Sequence, residues 1–326
     1  MVSSSWRALF SFDDIRGESE PLRQVLWLGR RAAEGGYPTL IVGESGTGKE
    51  LLAHAIHSAS PRSGGPFVAI NCGTLSPELA VAELCGYEPG AFTGADRHLR
   101  TGLLDAASGG TLLLDELQDM APTSQSVFLR FLETQSFVRV GGTQPVAVSV
   151  RVVATLNIAV DEAERRGLVR SDLLYRLNCL TIDIPPLRER RADIRPIAEK
   201  CLREELHFLG EVDDEFWTAL ATCPHPWPGN ARGLRNVLLK AILASTRGRL
   251  AAGDLPRSLW NITPVAPSPT PRESANGHAA EDLAALRAVL RANRDNVSAA
   301  ARGLGIHRST VYRRLARRGE RGPRRV

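Results

Sequence analysis

The sequence predicts an α/β chain: a domain built on a parallel sheet, then a small helical subdomain, then an all-α helix-turn-helix domain. Three observations predict it. Short continuous apolar runs alternate with helical segments up to about residue 185. Residues 186–262 lose those runs and keep helical periodicity, and a proline-rich stretch then precedes a strongly basic end. Strands that are apolar at every position are buried on both faces, which is how a parallel sheet sits between layers of helices.

Taken in order, "YPTLIVGESGTGKELLAHAIH" reads as strand, Gly-rich loop and helix, with Leu51, Leu52, Ala55 and Ile56 at helical spacing. "PFVAINC", "GTLLLDEL" and "VRVVATLN" are three more strands, and "TSQSVFLRFLETQ" is a helix between two of them. "DIPPLRERRADI" ends the sheet region with two prolines and a cluster of charges. From "ADIRPIAEKCLREELHFLG" to "NVLLKAILAS" the pattern is helical, with Ile194, Ile197, Cys201 and Leu202 on one face. Residues 263–279 hold four prolines and few large apolar residues, the composition of a linker. The expected organisation is a short extension (1–11), an α/β domain (12–185), a helical subdomain (186–262), the linker (263–279) and the terminal domain (280–326).

Composition excludes several classes. The five cysteines, at 72, 85, 179, 201 and 223, show no C-x-x-C spacing and read as reduced core thiols, not as disulfides or zinc ligands. The start "MVSSSWRALFSFDD" lacks a signal peptide's basic and apolar regions, and no run nears the ~18 apolar residues of a membrane span. A cytoplasmic protein with no membrane partner is expected. Residues 280–326 carry twelve arginines against four acids, a balance of +8 within a chain of net +5, which leaves −3 for residues 1–279. Nucleic acid is therefore expected to meet the C-terminal end alone.

Two motifs carry chemistry. "GESGTGKE" fits G-x-x-x-x-G-K between a strand and a helix, so Gly43, Glu44, Ser45, Gly46, Thr47, Gly48, Lys49 and Glu50 form a candidate phosphate loop. Glycines turn backbone N–H groups inward, the helix N-terminus favours anions, and Lys49 reaches the terminal phosphates. "GGTLLLDEL" ends a strand in Asp115 and Glu116. The first carboxylate is suited to Mg²⁺ and the second to orienting an attacking water, so ATP and Mg²⁺ are the expected cofactors and hydrolysis the expected reaction.

One stretch fits neither sheet nor helix. In "GYEPGAFTGADRH" an aromatic stands among small residues, between two glycines that permit tight turns. It reads as a flexible arm with an apolar contact point. Together with "GESGTGKE", "GGTLLLDE", "RSDLLYRLN", "PPLRERRADI" and "WPGNARGLRNV", in this order, it resembles the bacterial enhancer-binding proteins, the AAA+ activators of sigma-54 RNA polymerase. The resemblance covers about residues 12–262 and includes Glu50, which stands where other phosphate loops place a Mg²⁺-binding Ser or Thr.

The resemblance implies an AAA+ domain with a helical lid, and it implies roles for matched residues. Gly90, Ala91, Phe92, Thr93, Gly94 and Ala95 would contact sigma-54. Asn71 would restrain Glu116, and Arg232 would sense nucleotide from the lid. Arg170 and Arg176 would reach a neighbouring subunit's γ-phosphate, which requires a closed head-to-tail ring, in this family usually a hexamer. Two positions depart from the family pattern. Gly233 stands where a glutamate is usual, and Leu156 follows Thr155 where Asn or His is common. Thr155 remains the expected sensor.

In the terminal domain Leu283, Leu286, Val289 and Leu290 share a helical face, and Gly305 allows a tight turn before a helix from about Arg308. Arg308, Ser309, Thr310, Tyr312, Arg313 and Arg314 can then reach base edges and phosphates in double-stranded DNA. The domain resembles the Fis type, with His307 replacing a usual capping Ser or Thr at a cost of about 1 kcal/mol at most. The expected function is an ATP-hydrolysing activator that binds an upstream enhancer site and remodels sigma-54 polymerase. Few residues precede residue 12, so control is expected from a separate regulatory protein, from expression level or from a domain removed from this chain. The alternatives are a nucleotide-binding, DNA-binding repressor without remodelling activity and a DNA-handling motor that needs no sigma-54.

Overall fold

Four strands of a computed structural model of the chain follow the four apolar runs, and the remaining strands lie outside them. The structure describes residues 6–76, 79–91, 98–245 and 248–260. In chain order the strands up to residue 183 are β1 (Thr39–Val42), β2 (Phe67–Asn71), β3 (Thr111–Asp115), β4 (Ser136–Val138), β5 (Pro145–Ala147), β6 (Arg151–Leu156) and β7 (Thr181–Asp183), and two short strands, Glu211–Val212 and Arg249–Leu250, pair farther on. Five of them form a parallel sheet in the order β2-β3-β6-β1-β7, while β4 and β5 pair apart as an antiparallel hairpin.

Side-chain alternation divides the sheet between two cores. Leu40 and Val42 of β1, Leu112 and Leu114 of β3, and Val152, Ala154 and Leu156 of β6 enter one core. Ile41, Leu113 and Val153, the residues between them, enter the other. Helices α1 (Glu20–Gly35) and α2 (Lys49–Ser58) cover the second face with Leu22, Val25, Leu52 and Ile56. The first face packs against α3 (Ala80–Cys85), α4 (Leu103–Ala106), α5 (Pro122–Thr134), α6 (Val160–Arg165) and α7 (Ser171–Leu177), led by Phe128, Phe131, Leu173 and Leu177.

Helix α1 starts where Ser19 Oγ accepts the amide of Leu22 and ends at Gly36 in a left-handed conformation. Its last turn holds a buried cation. Arg151 Nη2 donates to Ala32 O at 2.6 Å, which places positive charge at the negative end of the helix dipole. Burial, and secondarily Arg62, lowers the Arg151 pKa to about 10.

Residues 187–259 build a separate core from α8 (Ile194–Lys200), α9 (Asp214–Thr222), α10 (Asn230–Ala244) and their connections. Leu187, Ile194, Phe216, Leu220, Trp227, Leu234 and Leu238 fill it. After α8 the chain widens into a π-helical turn over Cys201–Glu205. Cys201 and Leu202 are buried with Ile194, while Ile197 is only partly so. Gly233 lies inside α10 without interrupting it.

One sequence expectation is corrected: Cys179 is exposed, whereas Cys72, Cys85, Cys201 and Cys223 are buried free thiols. Cys179 follows α7 and precedes edge strand β7, so no layer covers it. Among the described residues no helix is long and apolar enough to cross a membrane. The chain divides into two units, 1–261 and 262–326. The linker, the helix-turn-helix with Arg308, Ser309, Thr310, Tyr312, Arg313 and Arg314, and the loop residues Phe92, Thr93, Gly94 and Ala95 lie outside the described residues.

Candidate nucleotide site

The phosphate loop leaves β1 after Val42 and enters α2 at Lys49. Two glycines make its path possible. Gly46 has φ +78°, and a Cβ there would stand 2.4 Å from Gly229 O. Gly48 caps α2 at φ +104°, a region that other residues rarely enter. Lys49 is 8% exposed and its Nζ donates to Gly43 O at 2.7 Å and Glu44 O at 3.1 Å. Burial holds its pKa below the ordinary lysine value, against the pull of Asp115 and Glu116 and with some help from Arg232. The lysine therefore lies within the field of both carboxylates. Thr47 Oγ1 closes the loop on Glu44 O at 2.8 Å.

Sheet register brings the next residues together. Asn71 at the end of β2 sits opposite Asp115 at the end of β3. Its Nδ2 donates to Asp115 Oδ2 at 3.3 Å and Glu116 Oε2 at 3.5 Å, while its Oδ1 accepts the amide of Gly73. Thr155, next to last in β6, donates to Asp115 Oδ1 at 2.7 Å and accepts the Glu116 amide at 2.9 Å. Glu116 itself has φ +55°, an uncommon conformation for a side chain of its size. Leu156 is fully buried and so takes no part in the polar group, and Asn157 donates its amide to Gln118 Oε1 at 3.3 Å.

The lid reaches the loop from its own elements. Arg188 binds the Glu44 carboxylate through two nitrogens, at 2.9 and 2.7 Å. Asn230, fully buried and at φ +48°, donates to Glu44 Oε2 at 3.2 Å and Ser45 O at 3.0 Å and accepts the Leu187 amide at 2.7 Å. Arg232 Nη1 donates to Ser45 Oγ at 3.1 Å. Arg190 donates to Thr47 O at 2.9 Å. Asp193, at the start of α8, accepts the amides of Glu18 and Ser19 and the Ser19 hydroxyl, at 2.7 to 2.8 Å. Hydrogen bonding to Arg188 is the main cause of a lowered Glu44 pKa.

Sequence reasoning missed Arg188, Arg190, Asp193 and the clamp on Glu44. The signal available was the arginine-rich "PPLRERRADI" itself, but nothing in it names an acceptor that lies 144 residues away. Arg170 and Arg176 do not join the group. Arg170 pairs with Asp172 at 2.7 Å and donates to Ser126 Oγ at 3.2 Å, and Arg176 is exposed in the last turn of α7. Glu50 is exposed in the first turn of α2. Gly90 and Ala91 lead out of the turn after Tyr87, with the Ala91 amide donating to Glu88 O.

Residues 15–183 match the Sigma-54 interaction domain, residues 188–271 the AAA+ ATPase lid domain, and residues 282–317 the Fis family of bacterial regulatory proteins. The transcriptional regulatory protein ZraR of Klebsiella oxytoca is 39% identical over 92% of this chain and 68% of its own length. A Nif-specific regulatory protein of Azotobacter vinelandii is 38% identical over 94% of this chain, which spans 59% of that relative. Among solved structures, NtrX from Brucella abortus in complex with ATP is 31% identical, with a TM-score of 0.66 over 94% of this chain and 69% of that one. The α/β core, the lid resting on a phosphate loop and these three consecutive matches lead to one assignment: the chain belongs to the family of sigma-54-dependent transcriptional activators with an AAA+ core.

Proposed function

We propose that this protein hydrolyses ATP as a ring and uses the energy to remodel sigma-54 polymerase at a promoter, from a DNA site bound by residues 280–326. One observation carries the reading: Lys49, buried in the phosphate loop, lies in the field of an Asp115–Glu116 pair that Asn71 and Thr155 hold at the ends of neighbouring strands. That is the arrangement which hydrolysis of a phosphoanhydride asks of a protein, since such catalysis is mostly positioning and charge stabilisation.

Residues 43–50 cradle the phosphates with backbone amides and Lys49. Arg232 reports nucleotide to the lid through Ser45. Asp115 and Glu116 offer hard oxygen donors, and a Mg²⁺ site commonly uses one or two carboxylates and completes itself with phosphate and water. Mg²⁺ bound there would neutralise phosphate charge. Glu116 orients the attacking water and Asn71 restrains it. Arg170 and Arg176 act on the nucleotide of the adjoining subunit, and residues 90–95 contact sigma-54. The bounds 12–185, 186–262 and 280–326 divide these tasks in a cytoplasmic protein.

The test is promoter opening by purified sigma-54 polymerase, comparing wild type with Glu116→Ala and Phe92→Ala. Wild type should open the promoter. Glu116→Ala should fail in both hydrolysis and opening, and Phe92→Ala should hydrolyse without opening. Hydrolysis and DNA binding by wild type with no opening would favour a repressor.

A further inference from the structure

Gln125 lies in the first turn of α5, 1% exposed, and among the described residues its side chain bonds to backbone alone. Nε2 donates to Met120 O at 2.9 Å and to Leu168 O at 2.7 Å, using both amide hydrogens. Oε1 accepts the amide of Arg170 at 2.9 Å. A buried amide with its donors satisfied this way is held in one orientation and holds its partners in turn.

The two partners on either side belong to different parts of the proposed reaction. Met120 ends the 3-10 turn Leu117–Asp119 that follows Glu116, and the Asp119 amide donates to Glu116 O at 2.9 Å. Leu168 and Arg170 belong to the loop that enters α7. No sheet ladder spans these loops, so Gln125 supplies the tie. The residue after it, Ser126, accepts from the Arg170 guanidinium at 3.2 Å, so the same helical turn locates both the backbone and the side chain of Arg170.

We propose that Gln125 is a positioning residue that aims Arg170 at the nucleotide of the adjoining subunit and ties that aim to the loop carrying Glu116. This rests on the reading of Arg170 as an arginine acting in trans. A subunit with an altered Gln125 then offers its neighbour a misplaced arginine, while Thr155 and Asn71 still hold Asp115 and Glu116 in its own site. A residue needed only for folding would damage the subunit's own site as well.

Subunit mixing separates these cases, with the full chain and phosphate release as the readout. Gln125→Met alone should lose roughly tenfold or more of the ATPase rate, as expected for a misplaced transition-state arginine. Its affinity for a fluorescent ATP analogue should stay unchanged. Mixing it with Lys49→Ala subunits, inactive but with a correctly held Arg170, should restore hydrolysis at roughly a quarter of the head-to-tail interfaces of an equal mixture. Arg170→Ala mixed with Lys49→Ala is the reference and should recover likewise. An active wild type with a recovering Arg170→Ala mixture but a silent Gln125→Met mixture would overturn the proposal. A silent Arg170→Ala mixture would overturn it along with the trans role, and an inactive wild type would defeat the functional reading beneath both. If Gln125→Met does not fold, Gln125→Lys takes its place, keeping donors for Met120 and Leu168 and losing the acceptor for the Arg170 amide. Failure of both to fold would mark the amide as a stability element and end the proposal.

Discussion

Asp115 and Arg188 both bear on the phosphate loop, but they are held there by different means. Asp115 owes its place to strand register, with Asn71 opposite it on β2 and Thr155 reaching it from β6. Arg188 meets Glu44 side chain to side chain, and both are more than a third exposed, at 39% and 38%. Moving Asp115 means breaking the bonds that join neighbouring strand ends. Parting Arg188 from Glu44 separates two solvated charges, commonly worth under about 1 kcal/mol, and leaves the buried Asn230 and Arg190 bonds in place. The sheet side is thus fixed by register, and the lid side by a few buried side chains with a solvated pair at their rim.

The largest effect should come from the residue between them. Lys49→Ala is expected to slow ATP hydrolysis by roughly a hundredfold or more, because it removes the main cation facing the transferred phosphoryl group. Phosphate release would measure it, and a near wild-type rate would place the chemistry elsewhere.

Acid should next strike the sheet side. His54 on α2 accepts the Leu9 amide at 3.1 Å and packs against Phe67, and burial lowers its pKa to about 4. The folded state keeps this ring neutral while the unfolded chain protonates near 6.5. Its contribution is therefore complete above pH 6.5 and drains away as pH falls toward 4, by about 3 kcal/mol at most. Denaturant unfolding between pH 7.5 and 4.5 should show the decline, and His54→Leu should flatten it. A decline unchanged in that variant would assign the acid sensitivity to another group.

The contrast also explains what could be read from sequence. Strands β1, β2, β3 and β6 were legible because each is a run of apolar residues facing two cores. Strand β7 was not, since Thr181–Asp183 is three residues long, lies at the sheet edge and buries only Ile182. Lys49, Asp115 and Glu116 were legible because their motifs are local. The hold on Glu44 was not, because Asn230 and Arg188 find it across 186 and 144 residues and Asn230 does so from a left-handed backbone. Local pattern predicts elements, and only packing tells which loop ends meet.

Among the described residues Asn230 is the lid side's deeply buried link to the Glu44 carboxylate. Asn230→Ala should cost about 2 kcal/mol by orphaning the Leu187 amide and placing alanine at positive φ. A thermal melt reads the loss, and an unchanged midpoint would mean that the lid docks through other contacts. Smallest of all should be Glu44→Gln, under about 1 kcal/mol, with salt narrowing the gap from wild type. Because its folded pKa is lowered, Glu44 contributes fully above the ordinary carboxylate value of 4.5 and loses that contribution only as pH falls through the lowered one. Mild acid that already weakens the His54 region should therefore leave the Glu44–Arg188 pair intact, and early loss of that pair would reverse the order of the two sides.

Asp193 has a practical consequence for anyone who divides this protein. It stands at the lid's first helix, yet its carboxylate receives Glu18 and Ser19 from 174 or more residues earlier. A fragment ending at residue 183 would retain every strand of the sheet and still lose the acceptor that secures its own front end. Such a piece should fray where it begins, far from the place where it was cut.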